Sequence, residues 1–222
     1  MQFANLLNFR DAGAIAGRPG LLFRSDALSN LVDEGFRVHT VIDLRRPEEI
    51  SAYGRAPEWA CEAWHNVTLT EAADAPEYDE AQGVVGYLVY RYLEMADLGA
   101  ADLVRVYTIL ADAETGPAVV HCAGGRDRTG IVIALLLDLL GVADDVIAAD
   151  YHHSERFTER WLEIQREAGN DPQLPPFLRH TPPAIILTFL ARLRERHGSV
   201  QAYLVASGLA PQAIEALRDR FS

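Results

Sequence analysis

The spacing of apolar residues changes several times along this chain, and each change predicts an element. Residues 39–44 (His-Thr-Val-Ile-Asp-Leu) are rich in β-branched types and predict a strand. Weaker strand patterns cover 20–24, after the turn Arg18-Pro19-Gly20, and 64–69. Gly116-Pro117 turns the chain into the apolar run Ala118-Val119-Val120, a further strand. Helical spacing covers 87–96 and 101–113, where Leu103, Val104, Tyr107 and Leu110 fall near one stripe. Pro47-Glu48-Glu49 has the chemistry of a helix's first turn. Residues 129–140 are apolar on nearly every side, the pattern of a buried helix, and Gly141 stops it. Further helices are predicted over 143–153 or beyond, 183–197, 200–207 and 211–221.

Two stretches lack periodicity. Residues 70–82 carry five acidic residues and Pro76, and predict a mobile loop. Residues 169–183 contain five prolines and predict a loop or hinge. Strands and helices alternate through the first two-thirds, and helices fill the rest. The fold class expected is α/β, with a short, mostly parallel central sheet flanked by helices and a helical C-terminal region. No linker divides the chain, so 1–222 reads as one domain, with a candidate lid within 70–98.

Composition narrows the partners. The net charge is -12, from 32 acidic and 20 basic residues, which argues against nucleic acid. A phosphate site in such a chain has to be built locally, from a few arginines and backbone N–H groups. Two cysteines, Cys61 and Cys122, suit reduced thiols rather than a disulfide scaffold. The first residues lack a signal-peptide pattern, and the longest apolar run, Ile131 to Leu137, is too short to cross a membrane. A cytoplasmic location without integral membrane association is the expectation. Nothing in the sequence fixes an oligomeric state.

The chemistry concentrates in His121-Cys122-Ala123-Gly124-Gly125-Arg126-Asp127-Arg128-Thr129-Gly130, between a predicted strand and the predicted buried helix. Such a junction gathers backbone N–H groups and the positive end of a helix dipole. Gly124 and Gly125 let the backbone curl close to a ligand. A cysteine at the loop's start has its thiolate favoured there and becomes a nucleophile toward phosphorus. Arg128, six residues on, offers a planar fork to two phosphoryl oxygens. Ala123, Gly124, Gly125 and Arg126 complete the expected phosphate cradle. His121 and Thr129 are placed to support the nucleophile. Taken singly these features are ordinary: a buried thiol, a turn, solvated arginines. Jointly, Cys-x5-Arg with internal glycines at this junction points to phosphate ester hydrolysis. A rhodanese-like sulfurtransferase and a non-catalytic phosphate-recognition module are the alternatives.

This segment resembles the signature of the cysteine-dependent protein tyrosine phosphatase superfamily. Asp directly before the arginine resembles its bacterial branch, typified by a mycobacterial enzyme. Asn8-Phe9-Arg10-Asp11-Ala12-Gly13, Leu22-Phe23-Arg24-Ser25-Asp26-Ala27-Leu28, Val41-Ile42-Asp43-Leu44-Arg45, Tyr203-Leu204 and Leu217-Arg218 fall in the family's order. The resemblance implies a phosphocysteine intermediate, no cofactor or metal, and a phosphorylated protein, lipid or small molecule as substrate. The branch commonly carries lysine, associated with lipid phosphates, where this chain has Arg126. It also implies Asp127 as the proton donor, although a helix cap would explain that residue equally. Asp43, at the end of a strand beside Arg45, is a second candidate acid or an ion-pair partner. Asp74 and Asp79 lie in the acidic loop, and Tyr87, Tyr90 and Tyr92 are either a lid or core. His152-His153 with Asp150 is a weak metal pattern, because adjacent histidines on a helix diverge.

Overall fold

The computed structural model describes residues 5–32, 35–69, 71, 72, 74 and 76–221. Five strands form one sheet in the order β1-β2-β5-β3-β4. These are β1 (Arg10–Asp11), β2 (Leu22–Ser25), β3 (Val38–Asp43), β4 (Cys61–Asn66) and β5 (Ala118–His121). Only β1 runs antiparallel; β2, β5, β3 and β4 are parallel, with Ser25 and Asp43 both opposite His121. The mostly parallel α/β class expected from the alternation is the class observed.

The helices are α1 (Pro47–Tyr53), α2 (Gly83–Leu98), α3 (Ala100–Ala111), α4 (Asp127–Leu139) and α5 (Asp144–His153). After them come α6 (Glu155–Glu167), α7 (Pro176–Arg179), α8 (Ala184–His197), α9 (Val200–Ala206) and α10 (Pro211–Phe221). Side chains alternate across the sheet, as a strand's period of two requires. Leu22, Ala118 and Val120 face a large apolar cluster built with α2, α3, α4, α5, α8, α9 and α10. Phe23 and Val119 face a smaller one, filled by Leu28, Phe36 and Ala60 from loops and short turns. The layering is therefore lopsided. Ten of the thirteen residues of α4 are buried, which is why its sequence is apolar all round.

Several expectations needed correction. β4 begins at Cys61, three residues before the expected strand, because pairing with β3 sets its register. Helix α6 stands apart from α5 and was not expected as a separate element, since only Thr158 of it is buried. The five-proline stretch contains the one-turn helix α7. Helix α2 spans 83–98 and buries seven residues, including Tyr87 and Tyr92, so that part of the candidate lid is core. The remaining lid expectation falls on 70–82, where residues 70, 73 and 75 lie outside those described. Among the described residues no helix is long and apolar enough to cross a membrane.

Candidate active site

β5 is the central strand, and the chain leaves its C-terminal end flanked by the ends of β2 and β3. The crossovers from β5's neighbours diverge there, which is where open α/β sheets bind ligands. Residues 122–126 make the turn into α4. The turn is shaped by what holds its carbonyl groups. The Ala123 carbonyl accepts from the Ala27 N–H at 2.9 Å. The Gly124 carbonyl accepts from Asn8 Nδ2 at 2.8 Å. The Gly125 carbonyl accepts from Arg24 Nη2 at 2.7 Å. In a trans peptide the C=O and the following N–H point in opposite directions. Three carbonyls drawn outward thus turn the N–H groups of Gly124, Gly125 and Arg126 inward, toward one concavity. Gly125 is required: its φ is +65°, and a Cβ there would lie 2.3 Å from the Ser25 carbonyl oxygen.

The holding groups are themselves held. Asp26 accepts the N–H groups of Asn8 (3.0 Å) and Leu7 (3.2 Å), and burial pushes its carboxyl above the ordinary value. Asp150 pairs with Arg10 at 2.6 Å and with Arg24. This buried network fixes the back of the loop, and it accounts for Asp150 without a metal.

Cys122 lines a cavity of about 490 Å³, together with Ala123, Gly124, Arg126, Asp127 and Arg128. The residue is 3% exposed. The Arg128 guanidinium faces the same cavity, near enough that a Cys122 thiolate adds to its charge stabilisation. Burial alone would lower the Arg128 pKa. Glu49 outweighs it, with Cys122 and Glu71 helping, and the guanidinium is held above its ordinary value. Glu49 receives both Nη groups, at 2.6 and 2.8 Å, and Glu71 stands 3.5 Å from Nε. Thr129 Oγ1 is buried and has no hydrogen-bond partner among the described residues. His121 is fully buried, with Nδ1 3.1 Å from the Cys122 carbonyl and Nε2 3.5 Å from Asp43. Burial holds its pKa below the ordinary value against the pull of Asp43.

Asp43 does not reach the cavity. It is fully buried and grips Arg45 through two side-chain bonds of 2.9 and 2.7 Å and a backbone bond of 3.1 Å. Its geometry is that of a structural ion pair, the second of the two roles its sequence position allowed. Asp127 does line the cavity and is the first residue of α4, not its cap. Its carboxylate takes Arg126 Nε at 3.0 and 3.2 Å and the Tyr92 hydroxyl, which in turn meets the Tyr151 hydroxyl at 2.7 Å. Burial and the Asp127 charge hold Tyr92 well above its ordinary pKa, so it stays a donor. Arg126 was expected to bind phosphate. It lines the cavity, and its guanidinium donates to the carbonyls of Leu178 (2.7 Å) and Phe177 (3.1 Å). Cys61 packs with the smaller cluster and Cys122 with the larger, so the sheet separates the two thiols.

Nothing in the sequence marked Asn8, Arg24, Asp26, Glu49, Phe157 or Trp161 for the site, and Tyr92, a candidate lid or core residue there, meets Asp127 from the core. Asn8, Arg24 and Asp26 sat in segments that carried the resemblance. Glu49 was visible only as a helix-start acid. Phe157 and Trp161, four apart on α6, line the cavity, and the Phe157 ring lies 3.0 Å from where a Gly124 Cβ would be.

A buried thiol at a strand-to-helix turn and a firmly held guanidinium thus line one cavity, a nucleophile type beside a cation. A model of the tyrosine phosphatase family matches residues 1–222, and the chain belongs to that family, an enzyme family of hydrolases. It is 27% identical to the Triple specificity protein phosphatase PtpB of Mycobacterium tuberculosis, over 95% of each chain. It is 31% identical to a Tyrosine-protein phosphatase of Nostoc commune, over 52% of this chain and 42% of that one.

Proposed function

We propose that this enzyme hydrolyses aryl phosphate monoesters of the phosphotyrosine type through a phosphocysteine intermediate. The observation that carries the reading is the set of three outward-pinned carbonyls at Ala123, Gly124 and Gly125, which aims the intervening N–H groups at an anion above Cys122. In the first step the Cys122 thiolate attacks phosphorus and the bond to the leaving oxygen breaks. That oxygen takes a proton from Asp127, the carboxyl group that the cavity and the loop share. In the second step water attacks phosphorus and gives a proton to Asp127. The S–P bond breaks, phosphate leaves and the thiolate returns. The inward N–H groups hold the equatorial oxygens throughout, joined by the Arg128 N–H donors that Glu49 leaves free. Thr129 Oγ1, without another partner among the described residues, donates to the departing sulfur.

The position of the sulfur supports the aryl preference. Cys122, only 3% exposed, lines a cavity that Phe157, Trp161, Leu174 and Leu178 also line. A phosphate on a ring reaches the thiol with the ring against the apolar walls; a phosphate on a short serine side chain gains less contact. The arginine fork closing the loop favours a phosphoryl group over the persulfide of a sulfurtransferase.

The test is p-nitrophenyl phosphate turnover with Cys122→Ser as control. Wild type should turn over and form an acid-quenchable phosphoenzyme. The variant should lose about 10³-fold or more in kcat, the scale of losing an enzyme's nucleophile. A phosphotyrosine peptide should exceed its phosphoserine counterpart in kcat/KM. Undiminished turnover by Cys122→Ser would remove the mechanism.

A further inference from the structure

Arg126 is 5% exposed, inside the loop, yet its guanidinium turns away from the loop's centre. Its Nε meets Asp127 at 3.0 Å, Nη1 meets the Leu178 carbonyl at 2.7 Å, and Nη2 meets the Phe177 carbonyl at 3.1 Å. The two carbonyls belong to α7, a helix of four residues. A helix that short cannot supply its own final carbonyls with i+4 donors, and the surrounding prolines remove N–H groups that would otherwise compete. Thr158 Oγ1 adds only a 3.4 Å contact to Leu178. The segment is also held through the Phe177 ring, 4.8 Å from the Tyr87 ring and 5.2 Å from that of Tyr78, and just past its end Glu155 meets His180 Nδ1 at 3.2 Å and accepts the Thr181 N–H at 2.8 Å. Leu174 and Leu178 of this stretch are cavity wall.

We infer that Arg126 is a positioning and specificity-determining residue that latches the 174–179 wall to the phosphate loop, so that the ring-binding side of the cavity is built only when the loop is in place. A planar fork can serve Asp127 and two carbonyls together; a lysine ammonium, one nitrogen on a flexible stem, cannot. The choice of arginine at this position therefore concerns the wall rather than the charge. The kinetic consequence rests on the hydrolytic reading above; the structural one does not.

The test compares Arg126→Lys and Arg126→Met in the full chain. Three measurements are made: hydrogen exchange of peptides covering 174–180, kcat and KM for p-nitrophenyl phosphate, and competitive inhibition by inorganic phosphate. In both variants exchange over 174–180 should accelerate while α8 stays protected. KM should rise about five- to tenfold, the scale of one lost hydrogen-bonded contact. The inhibition constant of phosphate, which touches only the loop, should stay within about twofold, well under that same contact energy. Trp161→Ala, which removes wall without touching the latch, should raise KM with exchange over 174–180 unchanged. Wild-type exchange and KM in Arg126→Lys would overturn the proposal, because charge alone would then suffice. So would a phosphate inhibition constant rising in step with KM, because Arg126 would then be a phosphate ligand. A wild-type protein that turned over no aryl phosphate would sink the hydrolytic reading, and the exchange measurement would still decide the latch.

Discussion

Glu49 offers a quantitative check on how Arg128 is held. Its carboxylate receives both Nη groups of Arg128 and the Arg46 N–H at 2.9 Å, and its side chain is 15% exposed. Burial opposes ionisation, but Arg128 prevails and takes Glu49 from an ordinary 4.5 down to about 2. That depression corresponds to roughly 3.4 kcal/mol between the two protonation states. The pair sits at a cavity mouth reached by water, and screening there leaves roughly 1–2 kcal/mol of stabilisation. Because the folded value is depressed, this stability is complete above the unfolded value near 4.5. It fades as the pH falls toward 2. Glu49→Gln should therefore lower the unfolding free energy by about 1–2 kcal/mol at pH 7. At pH 3 the deficit should shrink to less than half of that, since the unfolded chain already binds the proton there. Urea titrations of both proteins across pH 3–7 measure this directly. A deficit independent of pH would refute the ion-pair account and leave packing as the role of Glu49.

Two further outcomes follow from the site's framework. Asp43→Asn should cost about 3–5 kcal/mol in urea unfolding, because it strands the buried Arg45 guanidinium; unchanged stability with abolished turnover would restore Asp43 as a catalytic acid. Gly125→Ala should lose p-nitrophenyl phosphate turnover and at least about 1–2 kcal/mol of stability from the positive φ alone, whereas a variant with normal kinetics would show that the loop tolerates a Cβ beside Ser25.

Local patterns made much of this legible. β3 and β5 announce themselves through β-branched and apolar runs, and α4 through a helix-length apolar stretch. The chemistry was legible because its residues lie within one loop, where spacing along the chain equals spacing in space. What sequence could not supply are contacts between distant positions. Asn8 and Arg24 reach Gly124 and Gly125 across 116 and 101 residues. Without that information the carbonyls' direction, and hence that of the N–H groups, is undetermined. Asp43 and Asp127 look alike in sequence, each an Asp near an Arg at a sheet edge. Burial separates them, because Asp43 is sealed in the core and Asp127 opens on the cavity. Helix α6 has a helical stripe, Phe157, Trp161 and Ile164, but its sequence runs on from α5 without a glycine or proline, and its aromatic members line the cavity rather than the core.

The acidic composition required positive potential to be made locally, and the obvious source was surplus arginine. The site does not have one. Arg10 and Arg24 share Asp150; Arg45 pairs with Asp43, Arg126 with Asp127, and Arg128 with Glu49 and Glu71. Five guanidinium groups thus meet five carboxylates, and Asp26 adds another acid at the cavity wall. What favours an anion there is orientation rather than net charge. The inward N–H groups and the start of α4 present partial positive charges fixed before any ligand arrives, so binding requires little reorganisation. The ion pairs serve that arrangement by holding carbonyls outward and the Arg128 fork still. An arrangement of this kind survives in a protein of net charge -12 because its potential is short-ranged: fixed N–H groups act on an oxyanion within hydrogen-bond reach, while acidic side chains farther off are screened by solvent.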